Sequence, residues 1–135
     1  EWKKLGEAKP GPRGGKGKVT KQPYYICMAD DEPFAMAGLW EHWQDEHGNE
    51  LETCTVLTTT PNEMMRDIHD RMPVILHPEH HDRWLDAKQQ DVDKVADLLR
   101  PFPADQMYAV PVDTYVNSPK NDNPRCTEEA TGLFG

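Results

Sequence analysis

The sequence predicts an α+β domain organised on an antiparallel sheet with short peripheral helices. Short runs rich in β-branched and aromatic residues recur at irregular intervals, and the stretches between them begin with Pro or Asp in the manner of short helices. The regular strand–helix–strand alternation of a parallel sheet is missing, which favours antiparallel pairing.

Taken in order, "EAKPGPRGGKGKVTKQP" is turn-rich, with four Gly and three Pro in seventeen residues interleaved with cations, and it predicts a flexible basic loop over residues 6–22. Tyr24 to Met28 is an aromatic and β-branched run closed by the acidic turn Ala29 to Pro33. Phe34 to Trp40 then reads as its hairpin partner. The acidic "EHWQDEHGNE" reads as an exposed connection to a Thr-rich strand over Leu51 to Thr58. A helix of one to two turns is expected over Glu63–Ile68, capped by Thr60 with Pro61 at its first position. A second runs from His77-Pro78-Glu79 to about Ala87, and a third from Asp91 to Leu99, stopped by Arg100-Pro101. Tyr108 to Val112 is a last strand, and residues 118–135 read as an irregular tail. No internal repeat is visible, so residues 1–135 are treated as a single domain.

Composition narrows the function classes. With 36% apolar residues, the chain has a modest core. No run of 18 apolar residues or secretory leader pattern is visible. Cys27, Cys54 and Cys126 are odd in number and lack close pairing, which predicts reduced thiols in a cytosolic setting rather than a disulfide framework or zinc site. The net charge of −9 opposes broad contact with nucleic acid, because phosphate binding needs cations that release counterions. Its distribution is uneven: residues 1–21 carry +5 and the remainder −14. Any nucleic-acid contact must therefore be local. The chain opens on Glu1-Trp2-Lys3-Lys4 with no turn signal before it, so a piece of a longer protein is expected.

Several constellations can carry chemistry, each with a plainer reading. In "DIHDRMPVIL", His69 is a candidate general acid or base and Arg71 a planar grip for phosphate. The same turn can simply end a helix. "HPEHH" offers His77, His80 and His81 as metal ligands with Glu79 nearby. Pro78-Glu79 is equally an ordinary helix start, with an acid at the positive end of the dipole. Trp2, Trp40, Trp43 and Trp84 read as packing residues or as stacking platforms for bases. The cysteines show no paired base and read as packing. The Lys/Gly loop is either a solvated insertion or a phosphate-tracking segment.

"EWKK", "KQPYYI", "FAMAGLWE", "CTVLTTTPNEMMRDIHDRMPVIL", "RWL" and "VNSPKND" in this order resemble the SRAP domain, the SOS response-associated peptidase family that shields abasic sites in single-stranded DNA. The resemblance covers nearly the whole chain. It implies a β-rich, barrel-like α+β core, of which this chain is the C-terminal portion. It implies an N-terminal cysteine, exposed by removal of the initiator Met, whose thiol and amine close a thiazolidine on the ring-opened abasic sugar. Self-removal of that Met and reversal of the crosslink are also implied.

By the same resemblance Glu1 matches the family's active-site glutamate, His69 its active-site histidine, Arg71 its phosphate contact, and Thr58 a position close to the bound nucleotide. None of the three cysteines matches the nucleophile, so this chain alone is expected not to crosslink DNA. Also implied are a monomer that acts without metal or other cofactor, and a cytoplasmic location with nucleoid association during DNA damage. The competing readings are a non-catalytic interaction module with an acidic surface and, third, a metal-dependent hydrolase built on His77, His80 and His81.

Overall fold

The computed structural model describes residues 1–5 and 20–130. It is the expected α+β domain, rich in antiparallel sheet and holding one short helix among 3-10 turns.

The first sheet has three strands. β1 (Trp2–Leu5) pairs with β2 (Thr20–Met28), which pairs on its other edge with a late strand over Met107–Pro111. The Tyr24–Met28 run is thus a strand, but its partner is not Phe34–Trp40. Asp31, at φ 60°, and Pro33 turn the chain out of the sheet, and the edge is taken by the apolar 107–111 run. β2 also begins at Thr20, ladder-paired with Leu5, so the loop expected over 6–22 gives way to strand by residue 20. Residues 6–19 of that loop lie outside the described residues. Gln22 is buried in this sheet, and its amide donates to the carbonyls of Pro23 (2.9 Å) and Val112 (2.8 Å), which satisfies a group that would otherwise be costly to bury.

Three two-stranded ladders follow. β3 (Ala35–Met36) and β4 (Gly38–Gln44) are separated by Ala37, and β5 (Glu50–Val56) and β6 (Thr58–Thr59) by Leu57. β7 (Met72–Pro73) and β8 (Ile75–Leu76) are separated by Val74. β4 pairs with β5, β6 with β7 and β3 with β8. The three separating residues bond to one another in a closed ring: Ala37 N–H donates to the Val74 carbonyl (2.8 Å), Val74 N–H to Leu57 (2.9 Å), and Leu57 N–H to Ala37 (2.9 Å). At this junction each strand changes partner without orphaning a backbone group. Ala37 and Val74 are almost wholly buried there, in a cluster with Leu76 and Leu98.

The β4–β5 turn is tighter than "EHWQDEHGNE" suggests. Asp45 accepts the N–H groups of His47 and Asn49, both at 2.8 Å, and Gly48 takes φ 81°, so the connection shrinks to residues 45–49 and Glu41–Gln44 become strand. Chiefly the Asn49 side-chain amide, bonded to the Asp45 carboxylate, holds its pKa below the ordinary value.

The helices are shorter than expected. The first is a 3-10 turn over Met65–Asp67, and the second a 3-10 turn at Pro78–His80 followed by α1 (His81–Leu85). The third is two 3-10 turns, Val92–Lys94 and Ala96–Leu98. Local hydrogen bonds explain the last: the Asp91 carboxylate captures Asp93 N–H and starts a tight turn. The final strand, β9, is Met107–Pro111. The tail is less irregular than expected up to residue 130, with a 3-10 turn at Pro124–Thr127 and a bridge from Glu129 to Val112.

The larger core cluster is Met28, Met65, Met72, Ile75, Phe102 and Met107. Flexible methionines fill the irregular space between the small sheets.

Candidate functional site

The site is assembled from two short pieces of chain. The 60–73 segment begins with buried Asn62, whose Oδ1 accepts Met65 N–H (2.9 Å) and whose Nδ2 donates to the Phe102 carbonyl (2.8 Å). Asn62, rather than the expected Thr60, thus holds the start of the 65–67 turn. Met65 O in turn accepts the backbone N–H of His69 (2.8 Å). A continuous chain of hydrogen bonds therefore fixes His69 relative to the core.

The His69 ring is oriented by its own turn. Nδ1 lies 3.1 Å from Arg71 N–H, 3.1 Å from the Arg71 carbonyl and 3.1 Å from Asp70 Oδ1. Every recorded contact of this ring is on Nδ1, so Nε2 is the nitrogen left for an outside partner among the described residues. The two kinds of Nδ1 neighbour also serve both tautomers. Arg71 N–H suits a bare Nδ1 with the proton on Nε2, whereas the carbonyl and carboxylate suit a protonated Nδ1 with a bare Nε2. The side chain is 44% exposed.

Arg71 and Thr58 are brought together by the β6–β7 pairing, in which Thr58 faces Pro73. The guanidinium donates through Nη2 to the Thr58 carbonyl (2.7 Å) and hydroxyl (2.9 Å), and through Nε to the same hydroxyl (3.3 Å). Both residues are exposed, so the grip aims a cation outward rather than neutralising it.

The second piece is the start of β1. Glu1 exchanges backbone hydrogen bonds with Tyr24, accepting at 2.7 Å and donating at 3.0 Å, which fixes the strand at its first residue. Trp2 Nε1 donates to Asn117 Oδ1 (2.7 Å), tying the strand to the "VNSPKND" segment. Trp2, Lys3 and Lys4 face Arg66, Asp67, Ile68, His69 and Asp70 across a cleft of about 380 Å³. His69 and Trp2 thus line one cleft, whereas Glu1, though exposed, is not among its lining residues, and Arg71 is paired with Thr58 two residues past His69. Arg66 and Asn117 were not singled out from sequence. Asn117 lies in a quoted motif, and its carbonyl partner to an indole is a contact visible only in three dimensions.

The HPEHH histidines do not converge. His77 stacks on Phe102 (centroids 4.4 Å apart, 28° between planes), and His80 meets His77 edge-on. Among the described residues no group of three or more His, Cys, Asp or Glu is placed to hold a metal. Trp40 and Trp43 stand exposed on β4 rather than in the core, whereas Trp84 is half-buried and donates to the Gly38 carbonyl (3.3 Å). Cys27 is buried, as a packing residue would be, while Cys54 is exposed and Cys126 half-buried. No helix among the described residues is long and apolar enough to cross a membrane.

The family model of SOS response associated peptidase (SRAP) matches residues 1–119. The chain belongs to the SRAP family. Among SRAP relatives, "Abasic site processing protein YoqW" of Bacillus subtilis is 47% identical over 128 residues, covering 95% of this chain and 52% of that protein. "Abasic site processing protein HMCES" of Gallus gallus is 34% identical over 134 residues, covering 84% of this chain and 38% of that protein. A crystal structure of a Bacteroides thetaiotaomicron protein superposes with a TM-score of 0.77 at 31% identity, covering 96% of this chain and 52% of that one. The chain thus spans about half the length of the curated SRAP relatives it matches most fully.

Proposed function

We propose that this chain carries the proton-transfer and phosphate-gripping part of an abasic-site processing protein that acts on single-stranded DNA and traps the damaged sugar as a thiazolidine. The observation that carries this reading is the His69 ring, locked through Nδ1 to its own turn and lining a cleft shared with Trp2, one residue from Glu1.

The chemistry assigns each group a task. The amine of an N-terminal cysteine, on the part of the family domain that precedes Glu1-Trp2, adds to the aldehyde carbon of the ring-opened sugar and forms a C–N bond. Glu1 takes a proton released from that amine. His69 Nε2 donates a proton to the carbinolamine hydroxyl, which leaves as water and yields the Schiff base. The thiol sulfur then adds to the imine carbon while nitrogen regains a proton, so aldehyde and aminothiol become thiazolidine and water. Arg71, pre-aimed by Thr58, pairs with a backbone phosphate and sets the register of the strand. Removal of the preceding initiator Met by hydrolysis of the Met–Cys peptide bond frees the cysteine amine for this step, and we assign that autopeptidase activity to the same cysteine.

The test joins this chain to the Cys-led half of the family domain and incubates the product with single-stranded DNA containing one abasic site. An adduct that survives denaturation is expected. A folded protein that forms none overturns the reading and favours a non-catalytic interaction module.

A further inference from the structure

The His69 cleft carries more positive charge than the proton transfer needs. Lys3, Lys4 and Arg66 line it, against the acids Asp67 and Asp70, in a chain whose net charge is −9. Asp70 is engaged with the His69 ring, its Oδ1 3.1 Å from Nδ1. On β1 the arrangement is unfavourable in itself. Lys4 stands directly opposite Lys21 in the β1–β2 register, and both are exposed. Like charges facing each other across an antiparallel pair repel, and a bound anion relieves that repulsion. Among the described residues none of Lys3, Lys4, Lys21 and Arg66 forms an ion pair.

Arg66 is placed by the turn that also places His69. The Met65 carbonyl accepts both Ile68 N–H (2.9 Å) and His69 N–H (2.8 Å), so helical winding continues from Met65–Asp67 to His69. Residues three apart on such a winding share a side, and Arg66 and His69 accordingly line one cleft. Arg66 N–H donates to the Asn62 carbonyl (3.0 Å), which ties its backbone to the core while the side chain stays exposed. Arg71 follows His69 by two residues, but its guanidinium is bonded to Thr58 and it is not among the residues that line the cleft. His69 therefore stands between two exposed arginines, one on the cleft and one outside it.

We infer that Arg66, with Lys3 and Lys4 beside it, is a second phosphate grip, so that the strand is held on both flanks of the damaged sugar, by Arg71 on one side and Arg66 on the other. The inference rests on the reading of His69 as the group that reaches the sugar. The planar fork of an arginine matches two phosphate oxygens, and the lysines add point charge to the same cleft. Contacts of this kind carry no base sequence but fix the register of a strand, and two of them straddling one sugar fix where that sugar lies. Substrate selection follows: an abasic site inside a strand offers a phosphate on each flank, whereas one at a strand end without a terminal phosphate offers one.

The experiment uses a protein bearing both halves of the domain and single strands carrying the tetrahydrofuran analogue of the abasic sugar, which cannot open to an aldehyde. The analogue is placed internally, at the 5′ end or at the 3′ end, with no terminal phosphate, and binding is read by fluorescence anisotropy across a salt series. Arg66→Gln should weaken binding to the internal site roughly ten-fold and lower the salt slope by about one, with Arg66→Lys restoring the slope. On one of the two end-placed analogues Arg66→Gln should bind within about twofold of the parent, and on the other Arg71→Ala should do so. Lys4→Gln should weaken binding while raising the melting midpoint of the free protein, because it removes the repulsion from Lys21. An unchanged slope for Arg66→Gln overturns the inference, as does an Arg66 effect equal on all three strands, or Arg66 and Arg71 effects that vanish on the same end. Chemistry is read separately on a true abasic site. An adduct without Arg66 dependence of binding overturns this inference alone, whereas Arg66 dependence without an adduct overturns the proton-transfer reading alone.

Discussion

Asn62 joins the core to the turn that carries His69, and replacing it separates two costs. Its side chain supplies an acceptor to Met65 N–H at 2.9 Å and a donor to the Phe102 carbonyl at 2.8 Å, within a residue only 8% exposed. Asn62→Leu keeps the volume and orphans both backbone groups. At about 1–3 kcal/mol for each of the two unsatisfied buried groups, the loss is about 2–6 kcal/mol, a large share of the ~5–15 kcal/mol typical of a domain. Asn62→Asp keeps the acceptor for Met65 but turns a second oxygen toward the Phe102 carbonyl, where only a protonated acid can donate. Folding then favours the protonated form, so the folded pKa of the introduced carboxyl rises above its ordinary ~3.9. A raised folded pKa contributes stability that is present below the unfolded value and lost as pH rises through the folded one. The deficit of Asn62→Asp relative to the parent should therefore widen between about pH 4 and pH 7, whereas that of Asn62→Leu stays flat. Urea unfolding followed by far-ultraviolet circular dichroism reads both. Deficits below about 0.5 kcal/mol for both variants, or a gap that narrows as pH rises, would refute the reasoning.

The Asp31 carboxylate accepts the Tyr108 hydroxyl and, with a smaller contribution from Cys27 across the strand pair, holds that phenol above the ordinary tyrosine range. Ultraviolet titration of the parent minus Tyr108→Phe should show a late ionisation that Asp31→Asn moves back toward the ordinary ~10; an unmoved step would contradict the assignment. Asp97 is depressed chiefly by its hydrogen bond to Arg83, so its stabilisation is present above the unfolded pKa and lost as pH falls through the folded one. Acid titration should accordingly loosen residues 92–98 in hydrogen exchange for the parent, with Asp97→Asn already loose at neutral pH. In DNA binding by a protein carrying both halves of the domain, Arg71→Ala should lower the salt slope by about one. Thr58→Val keeps the carbonyl that holds Nη2 at 2.7 Å and should preserve that slope. Equal slopes for the parent and Arg71→Ala would remove Arg71 from the phosphate contact.

Much of the fold was legible where residue chemistry is local. Aromatic and β-branched runs marked β2 and β9, and Thr60-Pro61-Asn62 marked a turn, because these residues prefer such conformations wherever they occur. Pairing was less legible. Tyr24–Met28 and Phe34–Trp40 look like a hairpin, yet the positive φ of Asp31 diverts the chain and distant Met107–Pro111 fills the edge. The ring of hydrogen bonds among Ala37, Leu57 and Val74 uses backbone atoms alone, so no residue pattern announces it. The HDR turn drew notice because a histidine and an arginine two residues apart are chemically conspicuous. Asn62 and Asn117 did not, since their importance lies in which distant groups they meet.

The most direct test of the central claim, that His69 moves the proton which lets water leave the sugar, is the single-turnover rate of adduct formation by His69→Gln in a protein bearing both halves of the domain. The expected result is a rate about 10²-fold lower or more, with the DNA dissociation constant within about twofold of the parent. An undiminished rate at equal binding would contradict it.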